Sequence, residues 1–319
     1  MTQTARNQVS TATSERVVTC YTILDQLMTA CGFTDYTDGM YEGQPDRSYA
    51  DAQRRQAEVL LDRAGVQSGS ALLDVGCGNG RLLRTAQDRG ARATGLTVSP
   101  TQVLGGRAQQ LDVRLLDYKH VGRTLDGLFD AVIANGSLEH FAKPEEALVG
   151  ADGDVYRGMF EMAHRVLRPG AEGTFVTTAI HFRQRPDPRV MMGAEGGFPA
   201  GSDAFHWSRL NRSFGGWYPS PGQLERCADG LFELVHEEDG TEDYLRTSDE
   251  WVRGAWRSFR SPRALVVATR MVPLMMQERE QTLDLFRCLL MSESWNWQFR
   301  GNPSPTVLLR QTWKRRANS

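Results

Sequence analysis

Residues 72–80 read LLDVGCGNG, and the rest of the chain is organised around them. Leu72, Leu73 and Val75 form an apolar run broken by one carboxylate, Asp74, and three glycines follow at alternating positions. An apolar run that ends in alternating glycines and passes into a helical pattern reads as strand, tight turn and helix N-terminus. Gly76 and Gly78 permit positive φ and close approach of a ligand to the backbone. Asn79 is placed to cap a helix beginning at Gly80. Leu82, Leu83 and Ala86 share one face of that helix, and Gly90 stands where a C-terminal glycine belongs.

Several ligands use such a turn, and spacing separates them. A dinucleotide fingerprint needs G-x-G-x-x-G, but position 81 is Arg81 and the third glycine comes one residue early, at Gly80. NAD also wants an acid about 20 residues further on to grip its ribose. Here the second apolar run, residues 93–96, is followed by Thr97. No Gly-Lys-Ser/Thr follows, which removes a P-loop. G-x-G-x-G with an Asp two residues ahead suits S-adenosylmethionine, whose ammonium and carboxylate fit beside Asp74 and the turn amides.

At 319 residues and 40% hydrophobic content the chain can build a sizeable core. A net charge of −2 gives no global attraction to nucleic acid or to an anionic membrane. The run Lys314-Arg315-Arg316 reads as a solvated terminus. Five cysteines show no CxxC and no ligand spacing with histidine, so a reduced, cytoplasmic protein without a metal is expected. The N-terminus lacks the apolar stretch of a signal peptide, and no segment offers the ~18 apolar residues that span a bilayer.

In chain order, residues 1–15 are Thr/Ser/Gln-rich and expected to be disordered. Residues 16–68 read as a helical cover: one helix over 17–30 closed by Gly32, another over 50–64 closed by Gly65. Between them Tyr36 and Tyr41 are more aromatic than a loop needs; such rings either cover a ligand or pin the loop to the core. From 69 to 182 strand and helix patterns alternate, with apolar runs at 71–75, 93–96, 113–116, 129–134 and 174–178. Repeated β-α units imply a doubly wound parallel sheet. Ligands bind at the carboxyl ends of such strands, where strand order reverses. That rule gathers Gly76, Gly78, Thr97, Asp117, Tyr118, Asn135 and Glu139 around one crevice. Residues 183–222 read as an irregular, aromatic-rich lid over an apolar acceptor, although a homo-oligomer contact would use the same composition. In 223–319, residues 231–236 form another strand, 244–298 are helical, and 306–312 form a last strand at the sheet edge. Met271, Met275, Met276 and Met291 fill core or line a deformable pocket.

With these pieces placed, the chain resembles class I S-adenosylmethionine-dependent methyltransferases, and more narrowly the cyclopropane fatty acid and mycolic acid cyclopropane synthases. LLDVGCGNG is shared by the whole class. GLTVSPTQ (95–102), LEHF (138–141) and YLRTSDEW (244–251) are similar to segments of the narrower family, as is GGWYPS (215–220). The resemblance implies a Rossmann-like, mostly parallel seven-stranded sheet, and contacts to the cofactor from Tyr36, Gly76, Gly78, Thr97, Gln102 and Tyr118. Asp117 would reach the adenine amine. In that family Glu139 and Tyr244 would help to hold a bicarbonate ion that acts as base. Two positions depart: Asp38 stands where the family has Cys, and Thr178 where it has His. Two inward carboxylates make a poor cage for another anion. Glu139 is therefore the first candidate for general base or for steadying a developing cation, and Asp38 the second. Tyr244 is placed to orient Glu139 or the acceptor; His140 is either a catalyst or a structural hydrogen-bonding residue. The expected activity is methyl transfer to an apolar or amphipathic small molecule without stable membrane insertion. Cyclopropanation of lipid-bound alkenes and non-catalytic cofactor binding are the alternatives.

Overall fold

β1 (Ala71–Val75) is buried along its whole length, with alternate residues serving opposite cores. Leu73 and Val75 join one apolar cluster and Leu72 the other; in β4 (Ala131–Asn135) Val132 and Ala134 divide in the same way from Ala131 and Ile133. Strands buried on both faces belong to a sheet with helices on either side. In the computed structural model, residues 3–170, 173–193 and 197–316 are described, with side chains from Arg16 onward.

β2 (Arg92–Thr97) and β3 (Asp112–Leu115) follow on one side of β1; β5 (Thr174–Phe182), β6 (Phe232–Asp239) and β7 (Thr306–Arg315) complete the sheet on the other. The order is β3-β2-β1-β4-β5-β7-β6, with β7 antiparallel to both its neighbours and the remaining pairs parallel. The expected last strand is thus present but interior, and β6 forms that edge. Strand order reverses between β1 and β4, which opens a crevice at their carboxyl ends.

α1 (Gln3–Ala30) packs Ile23, Leu24 and Leu27 into the larger core. Its backbone is helical through residues 3–15, which were expected to be disordered; no glycine or proline interrupts residues 3–30. α2 (Tyr49–Arg63) and α3 (Arg81–Asp88) cover the other face of the sheet through Leu60, Leu61, Leu82 and Leu83. Gly80 is the N-cap of α3 and no side chain caps it, so Asn79 has another role. α4 (Pro100–Ala108) starts at the Ser99 cap with Pro100 in its first turn. α5 (Pro144–Leu148) and α6 (Asp152–Val166) lead to β5.

The segment read as an irregular lid contains α7 (Pro188–Met192) and α8 (Asp203–Phe214). Its rings turn inward: Trp207, Trp217 and Tyr218 are buried around Phe182, 4.8–5.4 Å between ring centroids. α9 (Gln223–Ala228) precedes β6; α10 (Thr241–Phe259), α11 (Arg263–Gln277), α12 (Arg279–Phe286) and α13 (Ser294–Trp297) precede β7. Of the four methionines singled out, Met271 is core, whereas Met276 and Met291 are exposed, and none lines either cavity at the carboxyl ends of the strands. The terminal basic run is not simply solvated either. Lys314 donates to Thr174 Oγ1 at 3.0 Å and Arg315 to the Arg168 carbonyl at 2.7 Å, because both lie in β7.

Arg310 of β7 ties the N-terminal cover to the sheet. Fully buried, it donates to Asp243 Oδ2 (2.9 Å), Gln56 Oε1 (3.0 Å) and the Gly39 carbonyl (3.3 Å), with Asp38 Oδ2 at 3.9 Å. Removing one partner from a buried ion pair strands the other charge. Arg310→Ala is therefore expected to destabilise the fold by about 3–5 kcal/mol, read as a lower urea midpoint at unchanged slope. A change under about 1 kcal/mol would show that Asp243 and Asp38 are neutral or hydrated without it.

Candidate active site

The turn after β1 opens onto a cavity of about 200 Å³. Gly78 sits at φ +51°, and a Cβ there would meet nothing within 4 Å, so the space above the turn is free for a ligand. Eight of the nine expected cofactor contacts line this cavity: Tyr36, Gly76, Gly78, Thr97, Gln102, Asp117, Tyr118 and Asn135. They come from the ends of β1, β2, β3 and β4, from the first turn of α4 (Gln102) and from the loop before α2 (Tyr36).

Asp74 is the exception. It points to the opposite side of β1, into a cavity of about 30 Å³ with Gln53, Gln56 and Cys77. That volume holds water-sized ligands only. Burial raises the Asp74 carboxyl to about 7, and its Oδ1 has no hydrogen-bond partner among the described residues. Strand alternation explains this placement: Leu73 and Val75, not Asp74, share the face of the larger core.

The polar end of the main cavity is preset by a chain of hydrogen bonds. Thr97 Oγ1 donates to Gln102 Oε1 (2.6 Å), Gln102 Nε2 to Tyr36 Oη (3.4 Å), and Tyr36 Oη to Asp25 Oδ1 (2.6 Å). Asn79 and Thr101 also hydrogen-bond Asp25, whose carboxyl is raised chiefly by burial. Asp25 thus stands behind the Tyr36 hydroxyl and orients it, while Thr97 and, from α4, Gln102 face the cavity themselves. Nothing in the sequence singled it out, because it acts on Tyr36 from α1. Tyr118 stacks on Phe141 at 4.2 Å, which fixes the plane of its ring at the cavity wall. Tyr41 takes the other reading offered for the loop rings: it is buried, with the Arg246 guanidinium 4.0 Å from its ring centroid.

The far end is aromatic. Tyr244, Trp251 and Trp295 lie 5.9–6.1 Å apart between centroids, and Phe214 packs on Trp295 at 4.5 Å. Tyr21 and Leu24 of α1 also line the cavity. His140 lines this end and shares a 2.6 Å hydrogen bond between Nε2 and Tyr21 Oη. Burial lowers His140 to about 4, which keeps it neutral with Tyr21 on its Nε2.

Glu139 is buried behind this wall rather than in it. Its Oε1 accepts the Ile180 N–H at 2.8 Å, and Oε2 has no protein partner among the described residues. Burial raises the carboxyl to about 7. The GGWYPS segment makes this placement possible. Gly216, at φ +89°, runs so close that a Cβ would lie 2.0 Å from the Glu139 carbonyl oxygen, and only glycine fits there.

Asp38 does line the cavity, but Arg310 faces it. Burial raises its carboxyl and Arg310 opposes the rise. Asp38 also pushes the Glu139 carboxyl up, more weakly than burial does. The Thr178 hydroxyl is committed to Asn135 Oδ1 at 2.5 Å. With one Glu139 oxygen occupied, a carboxyl at Asp38 and no free donor at Thr178, these residues do not fit a bicarbonate ion.

Comparison with known proteins identifies the family. The profile for mycolic acid cyclopropane synthetase matches residues 10–269. A probable fatty acid methyltransferase of Pseudomonas putida is 31% identical over 144 residues, 42% of this chain and 36% of that protein, so the match spans about a third of that relative's length. Cyclopropane mycolic acid synthase 3 of Mycobacterium tuberculosis is 27% identical over 223 residues, 66% of this chain and 71% of the relative. Two solved structures from the same group share the fold at 20% identity, each covering 94% of this chain and 98% of the other. They are the cyclopropane synthase MmaA2 of M. tuberculosis (TM-score 0.72) and mycolic acid cyclopropane synthase CmaA1 complexed with SAH and CTAB (TM-score 0.70). Matched over most of its length and built around a crevice that fits the cofactor, the chain belongs to the mycolic acid cyclopropane synthetase family of S-adenosylmethionine-dependent methyltransferases.

Proposed function

We propose that the protein transfers a methyl group to a carbon of an apolar acceptor, an unsaturated acyl chain being the class that fits best. One observation carries this reading: the cavity runs from the polar Thr97–Gln102–Tyr36 end directly into the ring-lined end at Tyr244, Trp251 and Trp295. S-adenosylmethionine, held by Tyr36, Gly76, Gly78, Thr97, Gln102 and Asp117, supplies an electrophilic methyl group. The protein then has three tasks.

Alignment comes first: the rings fix an apolar chain near the turn and exclude water, which is what a displacement reaction needs. The second is charge. Methylation of an alkene leaves positive charge on carbon, and the faces of Tyr244, Trp251 and Trp295 stabilise a cation. The third is removal of a proton: Glu139 Oε2 is the free acceptor, and because the carboxyl lies behind the cavity wall the proton reaches it when that wall moves aside or through a relaying hydroxyl. The names of the relatives, a fatty acid methyltransferase and mycolic acid synthases, support an acyl acceptor.

The test offers labelled methyl donor with a detergent-dispersed unsaturated acyl chain and, separately, with polar amines and carboxylates of similar size. Label in the acyl product supports the reading; label only in a polar product overturns it. Activity should also follow the Glu139 carboxyl, because a base works only when deprotonated. kcat/KM is expected to rise about tenfold per pH unit below about 7 and to level off above it. A profile flat from pH 5.5 to about 8 would remove Glu139 as the base.

A further inference from the structure

α11 is apolar on both faces. Val267 and Met271 are buried against the body of the protein, and Leu274 packs beside them. On the opposite side Leu265, Val272 and Met276 are 72%, 55% and 83% exposed. With Thr269 between them these positions follow an i, i+4, i+7, i+11 spacing, which makes one continuous stripe. A helix that is apolar all round is ordinarily covered all round.

The surrounding charge identifies the cover. Between Trp251 and Gln277 the sequence holds Arg253, Arg257, Arg260, Arg263 and Arg270 and no acid, although the whole chain has a net charge of −2. Arg253 and Arg257 share Glu250 at 2.9 and 3.7 Å; Arg260, Arg263 and Arg270 form no ion pair among the described residues. Beside the stripe, at the end of α10, Trp256 is 40% exposed with Arg260 over its ring at 5.6 Å. Beyond Gln277 the run Glu278-Arg279-Glu280 returns to mixed charge. An apolar stripe, an interfacial tryptophan and basic residues without acids are the composition of a helix that lies in the plane of an anionic bilayer. A second copy of the chain is a poorer occupant, since a two-fold contact would set these arginines against themselves. The surface also adjoins the site: Arg270 donates to Gln26 of α1 at 2.9 Å, and Tyr21 and Leu24 of α1 line the cavity.

We propose that α11 and the exposed end of α10 form a docking surface for anionic membrane lipid. Its use, delivery of an acyl acceptor, rests on the function proposed above; the docking itself does not. The experiment is co-sedimentation of the full chain at low salt with vesicles of phosphatidylglycerol and phosphatidylcholine, and with phosphatidylcholine alone. Binding is expected to the mixed vesicles and to be at least about tenfold weaker to the neutral ones. R257E/R260E should lose about tenfold or more, and L265D/M276D about a hundredfold. Both variants should keep wild-type affinity for S-adenosylhomocysteine and wild-type transfer to a detergent-dispersed chain. Equal sedimentation of wild type and variants, or no binding to mixed vesicles, overturns the proposal. So does a wild-type dimer that L265D/M276D dissociates, which would assign the stripe to a second copy. Vesicle binding without transfer to any acyl chain would overturn the acceptor assignment and leave the docking surface standing; transfer without vesicle binding would do the reverse.

Discussion

Glu139→Gln is expected to lower kcat by about 10²–10⁴-fold while leaving affinity for S-adenosylhomocysteine unchanged, the usual span for a lost general base. The substitution is nearly isosteric. Glutamine can keep the 2.8 Å hydrogen bond from the Ile180 N–H, so the backbone around β5 has no reason to move. What disappears is the free oxygen and its ability to take a proton or offset a cation. The affinity measurement separates this from a folding defect, and the pH profile of the variant should be flat. Turnover within about threefold of wild type would leave Glu139 a structural anchor for Ile180.

Gly78→Val is expected to weaken S-adenosylhomocysteine binding by at least about a hundredfold in calorimetry. In the protein alone a Cβ at this position meets nothing within 4 Å, so the valine side chain occupies the space where the cofactor would lie. A second effect must be separated from the first: φ is +51°, and an L-residue held there costs about 1–2 kcal/mol of stability. Gly78→Ala carries the same strain with a smaller side chain, so it should lose the stability and much less of the affinity. Equal affinity in Gly78→Val and wild type would move the cofactor away from this turn.

The turn and the strand ends that surround it were legible because each is a local signal. Gly76, Thr97, Asp117 and Asn135 all stand within a residue or two of an apolar run, and one topological rule gathers them. Distant packing was not legible. Tyr21, Phe214 and Trp295 meet across nearly the whole length of the chain, and no spacing in the sequence joins them. The same holds for β7: alternation marks a strand but not its neighbours, so its place between β5 and β6 had no local signature. Asp38 was recognisable as inward-facing, whereas its neutralising partner Arg310 belongs to a strand 272 positions later (310 − 38). Asp74 lies outside the main cavity for a local reason, since the period-2 alternation of β1 turns it to the other face. The methionines of α11 show the limit of composition alone: the same helix offers Met271 to the core and Met276 to the surface.

The central claim is methyl transfer to an apolar carbon with a protein carboxylate, not bicarbonate, receiving the proton. The most direct measurement is product mass after turnover with trideuteromethyl-labelled S-adenosylmethionine and an unsaturated acyl chain, in carbonate-stripped buffer and again after bicarbonate is restored. The account predicts a product that keeps all three deuterons, formed at the same rate in both buffers. A product with two deuterons, whose formation stops without bicarbonate and resumes with it, would show that a ring closes through an external base and would contradict the account.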